Sequence, residues 1–213
     1  MGADRGPALL IQFARAPEAG AVKTRMLPHL SPHQACELHT ELVLWTCRRL
    51  TTAGVGVVEL AVAGDTHDPL FRECRAAGVG AMYRQRGGDL GERMYRAIRA
   101  GLARFDRVIL VGSDCPWIDR PYLEAALEAL EAAPLALGPA LDGGYVLIAA
   151  RRVRPELFSG ISWGTDAVLA ETRTRLGQLG WEWRELPALR DVDRPEDLPA
   201  WHRLRAGEAA ATR

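Results

Sequence analysis

The sequence predicts a three-layer α/β/α sandwich around a mixed, mostly parallel sheet. Strand-like and helix-like segments alternate from end to end, the order expected of strands joined by crossover helices. Several strand segments are continuous apolar runs, which suits strands buried on both faces. The helical segments instead carry apolar residues at a spacing near 3.6, one face each. With 213 residues, 48% of them hydrophobic, the chain can bury one substantial core. Residues 1–205 therefore read as a single domain, and the small, polar stretch 206–213 as a frayed, disordered tail.

The first strand is Ala8–Ala14, apolar enough for the centre of the sheet, followed by a loop rich in Pro, Gly and cations from Arg15 to Pro32. A helix from about Pro32 to Leu50 places Leu38, Leu42 and Trp45 on one face. Val57–Ala63 is the second strand, Pro69–Ala77 a short helix and Ala81–Arg86 a weaker strand. The clearest helix spans Asp89–Phe105, where Leu90, Met94, Ile98, Leu102 and Phe105 form one stripe. Val108–Val111 is a buried strand running into Gly112-Ser113-Asp114-Cys115-Pro116. Asp119 can cap the next helix, with Pro121 in its first turn. Leu135–Leu141 and Tyr145–Ala150 flank Asp142-Gly143-Gly144, a hairpin signal. A helix from about Thr165 to Leu179, a strand from Trp181 to Leu186 and a short final helix complete the pattern.

Bulk properties narrow the function. Lys+Arg and Asp+Glu number 27 each, for a formal net charge of zero, so no global basic field draws nucleic acid and a small substrate is expected. Cys36, Cys47, Cys74 and Cys115 form no Cys-x-x-Cys pair, which favours free thiols in a reducing compartment. The apolar run Ala8–Phe13 is too short for a signal peptide or a membrane span. No membrane partner and a cytoplasmic location are expected.

The loop after the first strand carries Lys23 and Arg25. In open α/β sheets ligands bind beyond the carboxyl ends of strands, and two cations there can balance a polyphosphate. A P-loop is excluded because Val22 stands where Gly must precede Lys-Thr. A dinucleotide fingerprint starting at Gly54-Val55-Gly56 fails at Glu59. Solvated loop charges are the plainer alternative. His29 and His33 are four apart, but Pro32 between them argues against a helical metal pair. Asp114 follows a buried strand, where a metal ligand belongs, or is a turn or cap residue. Asp142 suits a tight hairpin turn. Asp193 with Glu196 resembles a capping box. Taken together, Asp114 and Asp193 suit a magnesium or manganese ion that also takes substrate phosphate oxygens.

Five segments, in order, resemble one family: Phe13-Ala14-Arg15-Ala16-Pro17-Glu18-Ala19-Gly20-Ala21-Val22-Lys23-Thr24-Arg25-Met26; Gly112-Ser113-Asp114-Cys115-Pro116; Gly138-Pro139-Ala140-Leu141-Asp142-Gly143-Gly144-Tyr145; Trp163-Gly164-Thr165; and Asp191-Val192-Asp193. The family is the DUF2064 group of GT-A-like proteins, also called radical-SAM/selenodomain-associated transferases or arsenosugar-biosynthesis glycosyltransferases. The likeness runs from about Leu9 to Leu198. It implies a GT-A (nucleotide-diphospho-sugar transferase-like) fold. The family is similar to the 2-phospho-lactate guanylyltransferases, whose phosphate loop Lys23-Thr24-Arg25 resembles. Asp114 and Asp193 look like the metal pair of sugar cytidylyltransferases. The matched segments imply nucleotide contacts from Arg15, Gln85, Asp89, Arg93 and Ser113. Two departures stand out: positions 113–115 read Ser-Asp-Cys rather than Asp-x-Asp, and Gly20 is the only glycine in the loop before Lys23.

Three functions follow as expectations. The first is nucleotidyl transfer from a nucleoside triphosphate to a small phosphorylated or sugar acceptor, with Lys23 and Arg25 stabilising pyrophosphate. The second is glycosyl transfer from a nucleotide-sugar to a small acceptor, with Asp142 at the acceptor, as its base or in contact with it. The third is a non-catalytic nucleotide-binding module. Fold alone does not choose among them.

Overall fold

A computed structural model describes residues 7–211. Its strands are β1 (Ala8–Arg15), β2 (Gly56–Ala63), β3 (Ala81–Arg84), β4 (Val108–Val111), β5 (Leu135–Pro139), β6 (Tyr145–Ala150) and β7 (Arg184–Glu185). They join one sheet in the order β3-β2-β1-β4-β6-β5-β7. The pairs β1–β2, β1–β4, β2–β3 and β5–β7 are parallel, and β6 runs antiparallel to β4 and β5. The helices are α1 (Pro32–Ala53), α2 (Pro69–Ala76), α3 (Leu90–Leu102), α4 (Arg120–Ala132), α5 (Val168–Gln178) and α6 (Leu198–Ala211).

The layers follow from the strand pleat. Leu10 and Ala14 of β1 pack with residues of α1, α2 and α4, while Leu9, Ile11 and Phe13 face α3 and α5. Each fully buried Leu or Ile contributes about 1.5–3 kcal/mol. The one polar residue within this run, Gln12, is satisfied on one side only: Nε2 donates to the Val43 carbonyl and to Ser113 Oγ, both at 2.9 Å, while Oε1 is buried without a hydrogen-bond partner among the described residues. A third cluster joins Met26, Leu38 and Leu42 to Val192 and Trp201, so the cationic loop is pinned to the chain's final segment.

Several boundaries move for identifiable reasons. β3 stops at Arg84 because Gln85 turns its amide back to the Ala14 and Ala61 carbonyls, at 3.2 and 2.9 Å. Pro139 ends β5, with a register shift at Gly138/Pro139. Trp181 is buried in the core under the Arg152 guanidinium, 4.7 Å from its ring, which leaves only Arg184–Glu185 to pair as β7. The expected tail is helical through Ala211, and Arg49–Glu208 and Arg205–Glu41 ion pairs fasten α6 to α1; residues 212–213 lie outside the described residues. No helix among the described residues is long and apolar enough to cross a membrane. The four cysteines are free thiols.

The chain runs outward through β2 and β3, then returns to place β4 on the other side of β1. At such a reversal the loops after the two central strands part and leave a crevice. The hairpin tip beyond β5 closes one end of it. Gly143 sits there at φ 91°, and a Cβ would collide with the Asp166 carbonyl. Its own carbonyl accepts from Leu169 N at 2.8 Å. Gly143→Ala is expected to lower stability by about 2–3 kcal/mol. Gly177→Ala, in α5 with open space around it, should instead be neutral or stabilising. Thermal melts of the two variants check the contrast.

Candidate active site

The crevice is organised around one buried ammonium. Lys23 has left-handed backbone, φ 50°, anchored by the buried neighbours Val22 and Met26. This turns its side chain inward, to 3% exposure. Nζ donates to Asp114 Oδ1 and to the Val192 carbonyl at 2.6 Å, and lies 3.9 Å from Asp193 Oδ1. Val192 N in turn donates to the Asp114 carbonyl at 2.8 Å. That bond fastens the segment after β4 to Asp191-Val192-Asp193. Arg25 donates to Asp193 Oδ2 at 2.7 Å and to the Gly164 carbonyl at 3.1 Å. Lys23, Arg25, Asp114 and Asp193 thus form one network, and Lys23 is not a solvated loop charge. Loss of hydration pushes the Asp114 carboxyl up, but the Lys23 charge and hydrogen bond outweigh it and hold the group below its ordinary value.

The competing structural roles fall to other residues. Asp119 caps α4, accepting from Tyr122 N at 2.9 Å, so Asp114 is not a cap. The turn before α6 is closed by Asp197, which accepts from Asp193 N and Arg194 N at 3.1 and 2.9 Å. The capping box expected of Asp193 and Glu196 is therefore replaced by one that leaves the Asp193 carboxylate for the two cations.

Two lobes meet at Phe13, Leu90, Gly112 and Asp114. One, about 520 Å³, is lined by Arg15, Lys23, His39, Gln85, Arg93 and Ser113. The other, about 310 Å³, has walls that include Met94, Tyr145 and Trp163, and it carries Asp142 and Asp191. Of the sequence-predicted nucleotide residues, Arg15, Lys23, Gln85, Arg93 and Ser113 gather in the first lobe, Arg25 lines the second, and Asp89 stands apart. Its carboxylate caps α3, accepting from Glu92 N at 2.7 Å, and it lines neither lobe. Ser113, a buried part of the first lobe's lining, donates to the Phe13 carbonyl at 2.8 Å. Arg93 Nε donates to the Gly87 carbonyl at 3.1 Å. Asp142 both forms the hairpin turn, accepting from Gly144 N at 3.0 Å, and lines the second lobe.

Two residues escaped sequence reasoning. His39 is buried in the first lobe and hydrogen bonds the Arg15 carbonyl at 2.9 Å; burial holds its pKa below the ordinary value. Its only signal is a polar residue beside the apolar stripe of α1. Asp191 lies in the second lobe, its pKa pushed up to about 6 by burial and by the charges of Asp142, Asp193 and Asp114. The Asp-Val-Asp motif contained it, but nothing in the spacing distinguished it from Asp193.

A family model described as "Uncharacterized protein conserved in bacteria (DUF2064)" matches residues 46–165. No curated protein matches the chain. Among solved structures, the chain is similar to a protein of Desulfovibrio desulfuricans G20, provisionally named a nucleotide-diphospho-sugar transferase. Identity is 32%, over 88% of this chain and 82% of that one, with a TM-score of 0.78. The fold is shared with a CMP:2-keto-3-deoxy-manno-octonic acid synthetase complexed with CTP, at 18% identity, 95% and 100% coverage and a TM-score of 0.60. It is also shared with glucosyl-3-phosphoglycerate synthase of Mycobacterium tuberculosis in complex with Mn2+, UDP and phosphoglyceric acid. There the identity is 14%, the coverage 93% and 74%, and the TM-score 0.56.

Proposed function

The chain belongs to the DUF2064 family, and on that premise we propose that it is a metal-dependent, nucleotide-binding transferase that moves a nucleotidyl group from a nucleoside triphosphate to a small acceptor and releases pyrophosphate. The observation that carries this is the Lys23 ammonium set between Asp114 and Asp193: two carboxylates from distant segments already present a cation site. Among the described residues no three His, Cys, Asp or Glu side chains converge as a ready cage. Two carboxylates, with substrate oxygens and water completing the shell, are the protein share that magnesium takes; manganese suits the same oxygen donors. When bound, such a cation supplies charge neutralisation at the donor phosphates.

The chain's own residues divide the remaining work. Arg15, Lys23 and Arg93 give the larger lobe the charge to hold phosphates. Lys23, lining the larger lobe, and Arg25, lining the smaller, flank the junction at Asp114, where a leaving pyrophosphate gains most from fixed cations. Asp142 faces the smaller lobe, the acceptor side.

Glycosyl transfer is the second reading, supported by the name of the 32% identical relative. The fold hosts a CTP-bound synthetase and a UDP-bound synthase alike. Incubation with magnesium, the four triphosphates, nucleotide-sugars and a panel of acceptors separates the two. Pyrophosphate release is the expected result. Nucleoside diphosphate from a nucleotide-sugar, with no pyrophosphate under any condition, overturns nucleotidyl transfer and establishes the alternative.

A further inference from the structure

We infer that the smaller lobe takes an uncharged, hydroxyl-rich acceptor, a polyol or sugar without a phosphate group, seated against Trp163 with its hydroxyls toward Asp142 and Asp191. This deepens the transferase reading above and rests on it for the word acceptor.

The cavity comes first. At about 310 Å³ it lies at the small end of ligand sites, sized for one small molecule. Its aromatic wall is fixed. Trp163 lies across Gly91, where a Cβ would sit 2.6 Å from the indole. It meets Tyr145 edge-on, with centroids 6.4 Å apart at 86°, and stacks with Phe158 at 6.4 Å and 29°. A ring held on three sides is a platform for the C–H face of a sugar or polyol.

Charge then selects the class. The Ala140–Leu189 bridge and the Leu141 N to Leu189 carbonyl bond, 3.0 Å, lay the hairpin tip beside the segment that carries Asp191. Among the described residues, neither Asp142 nor Asp191 has a Lys, Arg or His within ion-pair distance. One cation, Arg25, lines this lobe, but its guanidinium is engaged by Asp193 and the Gly164 carbonyl; Lys23 lines the other lobe and is paired with Asp114. The uncompensated charge on this side is negative. A phosphate ester would meet like charge at short range, which disfavours a ligand. A hydroxyl donates to a carboxylate in a charge-assisted hydrogen bond.

Saturation-transfer NMR tests this on the full-length protein without added metal, so that only the protein walls act. The probes are monosaccharides and polyols, each paired with its phosphate ester, plus glucosamine beside glucose. The uncharged member of a pair should bind at least tenfold more tightly than its ester. In the Asp142→Asn/Asp191→Asn protein, with its fold checked by circular dichroism, that preference should shrink toward parity. Should the double variant not fold, Asp142→Asn alone, at the exposed rim, should shrink it in part. The inference is overturned if esters bind better, if the preference survives neutralisation, if glucosamine outbinds glucose tenfold, or if no probe binds at all. Calorimetry with nucleotide on the same preparation reports separately on the transferase reading: a protein that selects polyols yet binds no nucleotide sinks that reading alone.

Discussion

Asp114→Asn is expected to reduce turnover by ~10³-fold and, at the same time, to destabilise the protein by about 3 kcal/mol. The first figure is what several kcal/mol of lost transition-state stabilisation amounts to. The second comes from the ammonium, not the carboxylate. Lys23 is 3% exposed while Asp114 is 49% exposed, so the substitution removes the ionic partner of a charge that water barely reaches. Breaking a buried pair from one side costs about 3–5 kcal/mol; the retained Val192 carbonyl, 2.6 Å from Nζ, puts this case at the low end. The pH dependence has a definite sign. Asp114 titrates below its unfolded value of 3.8 in the folded chain, so its contribution is complete above that value and is lost as pH falls through the folded pKa. The stability gap between wild type and variant should therefore be widest at neutral pH and close in strong acid. Denaturant titrations at several pH values measure it. A variant as stable as wild type at pH 7, or a gap that widens in acid, would mean that Lys23 and Asp114 are not paired in solution.

Much of this site could be read before any coordinates, because its parts sit at strand ends and strand ends are marked by hydrophobicity. The apolar run Val108–Val111 announces Asp114; the run Ala8–Ala14 announces the loop that holds Lys23. What sequence could not supply is which side of the loop Lys23 faces. That depends on a left-handed residue that is not glycine, set by the burial of Val22 and by the packing of Met26 with distant Val192 and Trp201. The capping assignment of Asp193 failed for a similar reason. Glu196 and Asp197 are adjacent carboxylates, and only the geometry of the turn decides which one reaches the free backbone amides. β7 shrank because an aromatic residue that reads as strand-forming was instead drawn into the core. Asp89 matched a nucleotide-facing segment, yet its position at the start of α3 commits the carboxylate to a cap.

The second large effect concerns the same ammonium, from the other partner. If Asp114 and Asp193 hold a divalent cation as proposed, that cation must compete with Lys23 for both carboxylates in the wild-type protein. Lys23→Met removes one positive charge from between the two carboxylates and keeps an unbranched side chain only one atom shorter. Met at φ 50° bears the same kind of backbone strain as Lys, so the loop has no new reason to refold. Two unit charges 4 Å apart repel by up to about 4 kcal/mol at a protein surface. Even a fraction of that makes Mn2+ binding without nucleotide at least ~10-fold tighter in the variant, about 1.4 kcal/mol. Nucleotide should tighten Mn2+ binding to the wild type as well, because phosphate oxygens complete the shell and offer the ammonium a second partner. Nucleotide affinity itself should fall in the variant, by about 1.5–3 kcal/mol for the lost charge-assisted contact. The stability cost should be smaller than for Asp114→Asn, since the carboxylate left behind is half exposed and water can solvate it. Arg25→Gln is the control: that guanidinium is 48% exposed and touches only Asp193 of the pair, so its removal should change Mn2+ affinity less. Electron paramagnetic resonance of free Mn2+ gives the metal affinities, and calorimetry the nucleotide affinity, without reference to turnover. Equal Mn2+ affinity in wild type and Lys23→Met would show that the ammonium does not occupy the cation's place. No Mn2+ binding by either protein, even with saturating nucleotide, would remove Asp114 and Asp193 as a metal pair altogether.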